Sequence, residues 1–395
     1  MCVDLPAGYS DCCPNTVSKL RSALYGTEQA GRLWGEQLCA TLTRAGAKRL
    51  RTDPTRYTWD HPIHGRSLVL AHDDDLATLG KTRVAVDAAK AALLQRYKGR
   101  DLGPAKDFLG MRIVRNCPKR TLTISCPGLI KALFYNFGVM DTHPAQQPMP
   151  GRTARRGTGE LPMDTSGWDQ EMVGSLLYLA ASVRADIDFA AITHARFMSQ
   201  PEEAHWRAAK CVVGNLSGTV DHGLQYGGSE GLEEAVDATC NGCPDTRRLT
   251  TGWVFMYGGG AISGSNKRRP TASRSTAVTE YIAAASATRE ALWLKKLMGD
   301  LDEPNRPVLM AEHKLGCLSL IANPKGTKRA KHIDTAHHVV RERAAMGSAK
   351  LVHRRGAKMV ADGLIQALAD PAMAEFRRRL GMIQPGETAN TAATV

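Results

Sequence analysis

Three carboxylates stand in succession at Asp73-Asp74-Asp75, between two short apolar runs, residues 67–71 and 76–79. Two apolar runs joined by a polar tip predict a β-hairpin with the acids at its turn. Neighbouring carboxylates held on a rigid tip can bind magnesium, which in nucleotidyl transfer activates an attacking hydroxyl and steadies the leaving pyrophosphate. Read alone, such a run is a solvated turn; the flanking strands give the metal reading its weight. A second set is dispersed over Asp237, Asp245, Glu280 and Asp362. Asp237 ends a predicted strand, Glu280 lies in the opening turns of a long predicted helix, and Asp362 lies near the start of the last major helix. Acids at strand ends and helix starts can gather over one sheet edge and hold two metal ions for attack on a phosphodiester. Taken singly, each acid is a cap or a helix-dipole partner.

His332 and the pair His337-His338 fall among Lys325, Lys328, Arg329, Lys331 and Arg341. This reads as a basic face for phosphates more readily than as a metal-ligand set. Arg354-Arg355 and Arg377-Arg378-Arg379 read as solvated surface. The chain carries 52 Lys and Arg against 39 Asp and Glu, a formal charge of +13, which favours a polyanionic partner. Its ten cysteines are scattered. Cys240-Asn241-Gly242-Cys243 has no second Cys or His pair at zinc-finger spacing, so reduced thiols of an intracellular protein are expected. No apolar run approaches the roughly 18 residues a membrane span needs, and the first residues lack a signal-peptide pattern. The expected setting is cytoplasm or nucleus, away from membranes. A 43% hydrophobic and 23% charged composition over 395 residues excludes wholesale disorder and predicts two or three domains.

The elements that must position these acids follow from periodicity. Residues 17–46 read as helical, 82–97 as a helix, 108–114 and 121–125 as a second hairpin, and 129–137 as a further helix. Apolar periodicity disappears over 142–167, the best linker candidate. Helices are expected at 172–182, 186–198 and 201–216. Strands at 233–238, 252–257 and 260–263 then precede a long helix over 275–298. A strand at 307–310, helices to 322 and over 334–345, a strand at 350–353 and a helix from 358 complete the pattern. Three strands, a helix, then alternating strands and helices imply a mixed sheet with helices packed on it.

At this level of detail the residues resemble a known family. The run from Leu20 through Leu24-Tyr25-Gly26, Gln29-Ala30-Gly31-Arg32 and Trp34 resembles a block of copia-type retrotransposon reverse transcriptases. Further blocks match in order: Asp53-Pro54-Thr55, Asp101-Leu102-Gly103, Phe108-Leu109-Gly110-Met111, the run Gly174 to Ala180, and His205-Trp206-Arg207-Ala208-Ala209-Lys210. Later blocks resemble the family's ribonuclease H part: Asp245-Thr246-Arg247-Arg248, Gly258 to Ser263, Glu280-Tyr281-Ile282-Ala283, Lys331-His332-Ile333-Asp334 and Ala361-Asp362. The resemblance implies an α+β and α/β chain, a truncated polymerase palm and thumb followed by a ribonuclease H-like mixed sheet with flanking helices. It implies a palm and thumb over 1–141, a linker over 142–167, a helical connection over 168–222, a ribonuclease H-like domain over 223–382 and a disordered tail over 383–395.

Carried over residue by residue, the resemblance implies Asp74 and Asp75 as catalytic metal ligands of a polymerase site, with Gln29 and Arg32 at its substrate. It implies Asp237, Glu280 and Asp362 as catalytic metal ligands of a hybrid-cleaving site, with His332 at the substrate there. Mg2+, or Mn2+ in its place, is the implied cofactor; RNA, DNA and RNA–DNA hybrid are the implied partners, with no specific protein partner. Two departures stand out. The family's Tyr-Val-Asp-Asp is here His72-Asp73-Asp74-Asp75, which places a charge where the family has a buried Val. The family's fourth ribonuclease H acid aligns without a gap onto His313, with Glu312 adjacent should the register slip by one. The family's first polymerase aspartate is expected upstream of Met1. The expectation is therefore a degenerate Pol fragment that does not polymerise and cleaves RNA–DNA hybrid very slowly or not at all. The alternatives are a non-catalytic nucleic-acid-binding remnant or a pseudogene product.

Overall fold

The computed structural model describes residues 2–4, 17–21, 23–24, 26–149, 168–199, 202–227, 232–239, 250–268, 276–303, 307–312, 314–322, 338–354 and 359–384. The chain forms two compact units, one made of Met1–Ala105 with Lys296–Glu303, the other of Lys106–Lys295 with Pro304–Val395.

In the first unit, β1 (Cys2–Asp4) pairs antiparallel with β2 (Val17–Lys19). The helix expected from residue 17 begins only at Ala30: α1 spans Ala30–Arg44. The apolar spacing of 17–24 is thus strand and turn, because β-branched Val17 finds a partner strand instead of a helical turn. After α1 come β3 (Lys48–Arg49), β4 (Arg56–His61), β5 (Gly65–His72) and β6 (Asp75–Gly80), an antiparallel sheet in the order 3-4-5-6. The helix α2 (Arg83–Arg96) follows; the Thr82 hydroxyl caps it by accepting from the Ala85 amide. Leu38 and Leu42 of α1, Tyr57 and Val69 of the sheet and Leu93 of α2 form the core.

The second unit opens with β7 (Asp107–Phe108), β8 (Met111–Asn116) and β9 (Thr121–Ser125). The single strand expected over 108–114 is broken at Leu109-Gly110, whose φ values of 52° and 74° make a two-residue turn between paired Phe108 and Met111. Then come α3 (Pro127–Asn136), α4 (Trp168–Ser182), α5 (Asp188–Ala195), α6 (Glu203–Ser217) and β10 (Gly223–Tyr226). Residues 142–149, expected as linker, instead run along α6: the Asn215 Nδ2 amide donates to the Ala145 and Gln146 carbonyls at 2.9 and 2.8 Å, and Met149 is buried. Gly214 permits this approach, since a Cβ there would lie 2.8 Å from the His143 carbonyl oxygen. The remainder of that expected linker lies outside the described residues.

Next are β11 (Leu232–Thr239), β12 (Thr250–Tyr257), β13 (Gly260–Arg268), α7 (Thr276–Asp300), β14 (Val308–Glu312), α8 (Leu315–Ala322), α9 (Val339–Ala345) and β15 (Ala349–His353). The strands form the expected mixed sheet in the order 13-12-11-14-15: β11, β12 and β13 are antiparallel, while β14 lies parallel to both β11 and β15. The alternation of Trp253, Val254 and Phe255 sends side chains to two faces. Trp253 and Phe255 pack with Met310 and the alanine-rich stripe of α7, Ala283, Ala284, Ala287 and Ala291; Val254 and Ala311 pack with the segment around Ala361 and Leu364.

The last elements among the described residues are α10 (Asp362–Ile365), α11 (Asp370–Arg379) and β16 (Met382–Ile383). The long helix expected from residue 358 is thus only a single turn at Asp362–Ile365, followed by a separate helix that starts at Asp370. The tail expected from 383 is strand at its first residue: β16 pairs with β10, completing a sheet in the order 16-10-9-8-7. The expected start of the ribonuclease H-like domain at 223 places β10 with the wrong partners, since it pairs β9 and β16 and the mixed sheet begins at β11. The boundary expected at 141 lies inside the second unit.

Two buried polar features belong to the helical layer of this unit. Arg184, fully buried, donates bidentately to Asp186 at 2.8 and 2.9 Å and to the Thr219 carbonyl and hydroxyl. Arg377 of α11 adds a 2.7 Å bond to Asp186 and another to the Asn215 side-chain oxygen. Burial alone would raise the Asp186 carboxyl, but the two guanidiniums hold it far below the usual range. Of the Arg377-Arg378-Arg379 run expected as solvated surface, Arg378 is exposed and pairs with Glu375, half-buried Arg379 pairs with the same carboxylate, and Arg377 turns inward to Asp186. Replacing Arg184 with Met should destabilise the chain by about 3–5 kcal/mol, because it leaves the buried Asp186 carboxylate with Arg377 as its one guanidinium partner. A urea midpoint close to wild type would show that the network contributes little.

The second feature is a pair of opposed titrations on α5. His194 lines a cavity of about 20 Å³ with His205, Phe197 and Met172, and neither ring nitrogen has a hydrogen-bond partner. Burial, helped by His205, pushes the His194 imidazole down to about 4, while burial pushes the Asp188 carboxyl up to about 7. His194 contributes stability above its unfolded value of 6.5 that is lost as pH falls toward 4; Asp188 contributes stability below 3.8 that is lost as pH rises toward 7. The two slopes oppose between about pH 4 and 6.5. His194→Gln should therefore leave a chain whose stability falls as pH rises through that window, and Asp188→Asn one whose stability falls as pH drops. Identical pH slopes for wild type and both variants in urea unfolding would refute the assignment.

Candidate functional site

In the first unit the acids lie at a hairpin tip. His72 pairs with Asp75, leaving Asp73 and Asp74 as the two turn residues, and Asp73 takes a left-handed φ of 48°. Asp residues tolerate this conformation better than most. All three carboxylate residues are exposed. Register with β5 fixes the turn, because six successive pairs from Ser67↔Gly80 to His72↔Asp75 zip the strands together. Gln29 occupies the N-cap position of α1 and Arg32 its first turn, both exposed; the Arg32 Nε lies 3.9 Å from Glu36, a loose pair that leaves the guanidinium in solvent.

Trp34 joins these two groups. Its indole Nε1–H donates to the main-chain carbonyl of Asp73, and its ring meets Tyr97 edge-on at 5.1 Å. Periodicity marks Trp34 only as part of an apolar stripe, so its bond to the acid turn has no sequence signal of its own.

A hydrated magnesium ion usually takes one or two protein carboxylates, with water or substrate phosphate as its other ligands. Adjacent, exposed Asp74 and Asp75 offer two such hard oxygen donors on a fixed turn. Among the described residues, no group of three His, Cys, Asp or Glu side chains is placed to hold a metal.

In the second unit the dispersed acids are placed on the mixed sheet and its helices. Asp237 lies near the end of β11, in register with Gly252 of β12. Gly252 is met by α10: a Cβ there would fall 2.6 Å from Ile365 Cγ2 and 3.2 Å from Leu364 Cβ. The small residue thereby lets the turn that starts at Asp362 lie directly on the sheet. Glu280, in the second turn of α7, is only 1% exposed, and so is Glu312 at the end of β14. The two bear on one thiol. Burial, followed by Glu312 as neighbouring charge and hydrogen-bond partner and then by Glu280, pushes the Cys317 thiol far up. Glu312 also accepts from the Lys314 amide at 2.9 Å.

The structure therefore groups Glu280 with Glu312 and Cys317 against one face of the sheet, with Asp362 on the segment packed on the other face. Two carboxylates so deeply covered do not present the open oxygen donors that a hydrated divalent ion takes. Glu312 was expected only as the alternative to His313 should the register slip by one, and Cys317 was not among the expected site residues; an acid followed by an apolar helix carries no pattern that would pair them. Asp245, His313 and His332 lie outside the described residues. In the expected basic face, His338 Nδ1 is 2.9 Å from the Tyr281 hydroxyl, and Arg341 donates to the Leu320 carbonyl with its guanidinium 5.8 Å from the Tyr281 ring. These two residues are committed to the packing of α9 instead of facing solvent as expected.

Cys317 should resist alkylation at neutral pH while exposed Cys117 reacts, and Glu312→Gln should lower the pH at which Cys317 becomes reactive. Mass-spectrometric labelling of native protein that modifies both cysteines at similar rates would refute the buried grouping.

Residues 1–150 match the family described as reverse transcriptase (RNA-dependent DNA polymerase). The chain is 30% identical to the retrovirus-related Pol polyprotein from transposon TNT 1-94 of Nicotiana tabacum, over 82% of this chain and 25% of that protein. It is 30% identical to the corresponding polyprotein from transposon RE2 of Arabidopsis thaliana, over 94% of this chain and 25% of that one. It is also 32% identical to an uncharacterized mitochondrial protein of Arabidopsis thaliana, over 57% of this chain and 93% of that protein. The chain thus spans about a quarter of the length of the two polyproteins.

Proposed function

The chain belongs to the copia-type retrotransposon Pol family, and on that premise we propose that it is a nucleic-acid-binding Pol segment whose polymerase-type and ribonuclease H-type centres are degenerate. The polymerase-type reading rests on the hairpin that carries Asp74 and Asp75, with Gln29 and Arg32 on the helix tied to it. There Asp74 and Asp75 would hold Mg2+, and Arg32 and Gln29 would meet the phosphates and sugar of a nucleotide. The ion, when bound, supplies charge neutralisation at a transferring phosphoryl group. Asp73, replacing an apolar residue of the family pattern, adds a third exposed negative charge to a turn that must approach phosphates.

The observation that carries the ribonuclease H-type reading is the mixed sheet in the order 13-12-11-14-15, with Asp237 on its central strand, Glu280 on the long helix and Asp362 on the short turn packed against β11 and β12. Glu280 and Glu312 are buried at 1% exposure, and His313 stands where the family has an acid. Such a set does not suit a pair of magnesium ions. A second reading, a non-catalytic binding remnant, is favoured by that same burial and by the net charge of +13. No helix among the described residues is long and apolar enough to cross a membrane.

The test uses a labelled RNA–DNA hybrid. Affinity should fall steeply between about 50 and 200 mM salt and depend little on sequence. Cleavage should be very slow or absent, Mn2+ should support it better than Mg2+ because manganese accepts imidazole more readily, and His313→Asp should raise it. Binding that ignores salt would refute the phosphate-dominated mode. Wild-type cleavage that His313→Asp does not improve would refute degeneracy.

A further inference from the structure

His194, in the last turn of α5, is 3% exposed, and among the described residues neither Nδ1 nor Nε2 has a hydrogen-bond partner. A neutral imidazole carries one N–H donor and one lone-pair acceptor, and buried groups of this kind nearly always find partners. The walls of its cavity offer few. Met172, Phe197 and Met198 are apolar, and besides His194 only His205 and Trp206 bring a polar side-chain atom to the lining.

His205, in the first turn of α6, is set by its neighbours. The Glu202 amide donates to its Nδ1 at 2.9 Å, and its ring stacks on Phe197 at 4.0 Å with 16° between the planes. A ring nitrogen that accepts carries no proton, so the proton of neutral His205 is on Nε2. His205 therefore brings a donor of fixed tautomer, and His194 brings an acceptor nitrogen. The rings stand close enough for His205 to help depress the His194 imidazole, yet no hydrogen bond joins them directly.

The cavity that both rings line measures about 20 Å³. One water molecule needs about 10–15 Å³ and two or more polar partners. An ion is a poor match. No acid lines the space to balance a cation, and the apolar walls leave an anion uncompensated. Among the described residues, no three His, Cys, Asp or Glu side chains are grouped for a metal.

We propose that this cavity is a binding site for a single water molecule, which accepts from His205 Nε2–H and donates to the acceptor nitrogen of His194. The bridge joins α5 to α6 where the two side chains do not themselves meet. It goes beyond the cavity's shape by assigning its occupant and the tautomer of each ring. The other His194 nitrogen is left with thioether sulfur and ring faces, which are weak acceptors. The inference stands apart from the polymerase-type and ribonuclease H-type readings.

The test uses the full chain, with histidine labelled by nitrogen-15, as wild type and as His194→Phe. Long-range proton–nitrogen correlation reads the His205 tautomer, and dipolar transfer from its ring proton detects a long-lived water beside it. Oxygen-17 relaxation dispersion counts long-lived waters per molecule. Wild type should show the Nε2–H tautomer with transfer to water, and His194→Phe should hold one long-lived water fewer. A His205 proton on Nδ1 would overturn the assignment. So would an Nε2–H with no transfer to water, or a scalar coupling between the two rings, which would mean that they bond directly. An unchanged water count in a folded His194→Phe would sink it as well. Should that variant not fold, the wild-type spectra decide alone.

Discussion

One buried carboxylate organises the larger unit. Asp186 sits between the guanidiniums of Arg184 and Arg377, at 1% exposure, and the same two arginines also bond Thr219 and Asn215. Three segments of chain, around residues 185, 215–219 and 377, are thereby required to meet at one point. A buried ion pair seldom adds much to stability over apolar residues of the same shape, but breaking one is costly because a charge is left behind. The consequence is geometric: α11 cannot leave the helical layer without exposing or orphaning an ion. With α11 so held, β16 follows directly onto β10 and completes the sheet that begins at β7.

Close approach of backbones plays the same part around the mixed sheet. Gly252 lets α10 lie on β12, and the alanine stripe of α7 lets a long helix settle on the opposite face. Glu280 and Asp362 come to opposite faces of one sheet because each rides on an element whose packing surface is made of small residues. An enzyme of the hybrid-cleaving kind needs its carboxylates open to solvent and ions. Here the best-placed pair, Glu280 and Glu312, is covered and turned toward the Cys317 thiol. Glu280 and Glu312 are thereby parts of the core of this unit.

In the first unit the three acids stay in solvent. Its acids remain at a hairpin tip in solvent, and its helix remains tied to them through the Trp34 indole. The turn itself carries three successive carboxylates, Asp73, Asp74 and Asp75.

Much of this was legible in the amino-acid order. The hairpin at 65–80, the helix α2 with its Thr82 cap, the hairpin of β8 and β9 and the succession of β11 to β15 with α7 between follow from spacing two or four residues apart, which local backbone geometry enforces. Family blocks placed the acids on those elements. The tertiary structure alone decided the rest. Residues 17–24 left the helical pattern because Val17 found a partner strand, and 142–149 left the linker because Gly214 admitted them to α6. Arg377 pairs with a residue 191 positions away, Trp34 with one 39 away, and Glu312 meets Glu280 only through a helix that follows it. A sequence pattern records the neighbours within a few turns of chain; partners that far apart are set by how whole elements pack, and packing is decided by shape and burial across the entire unit.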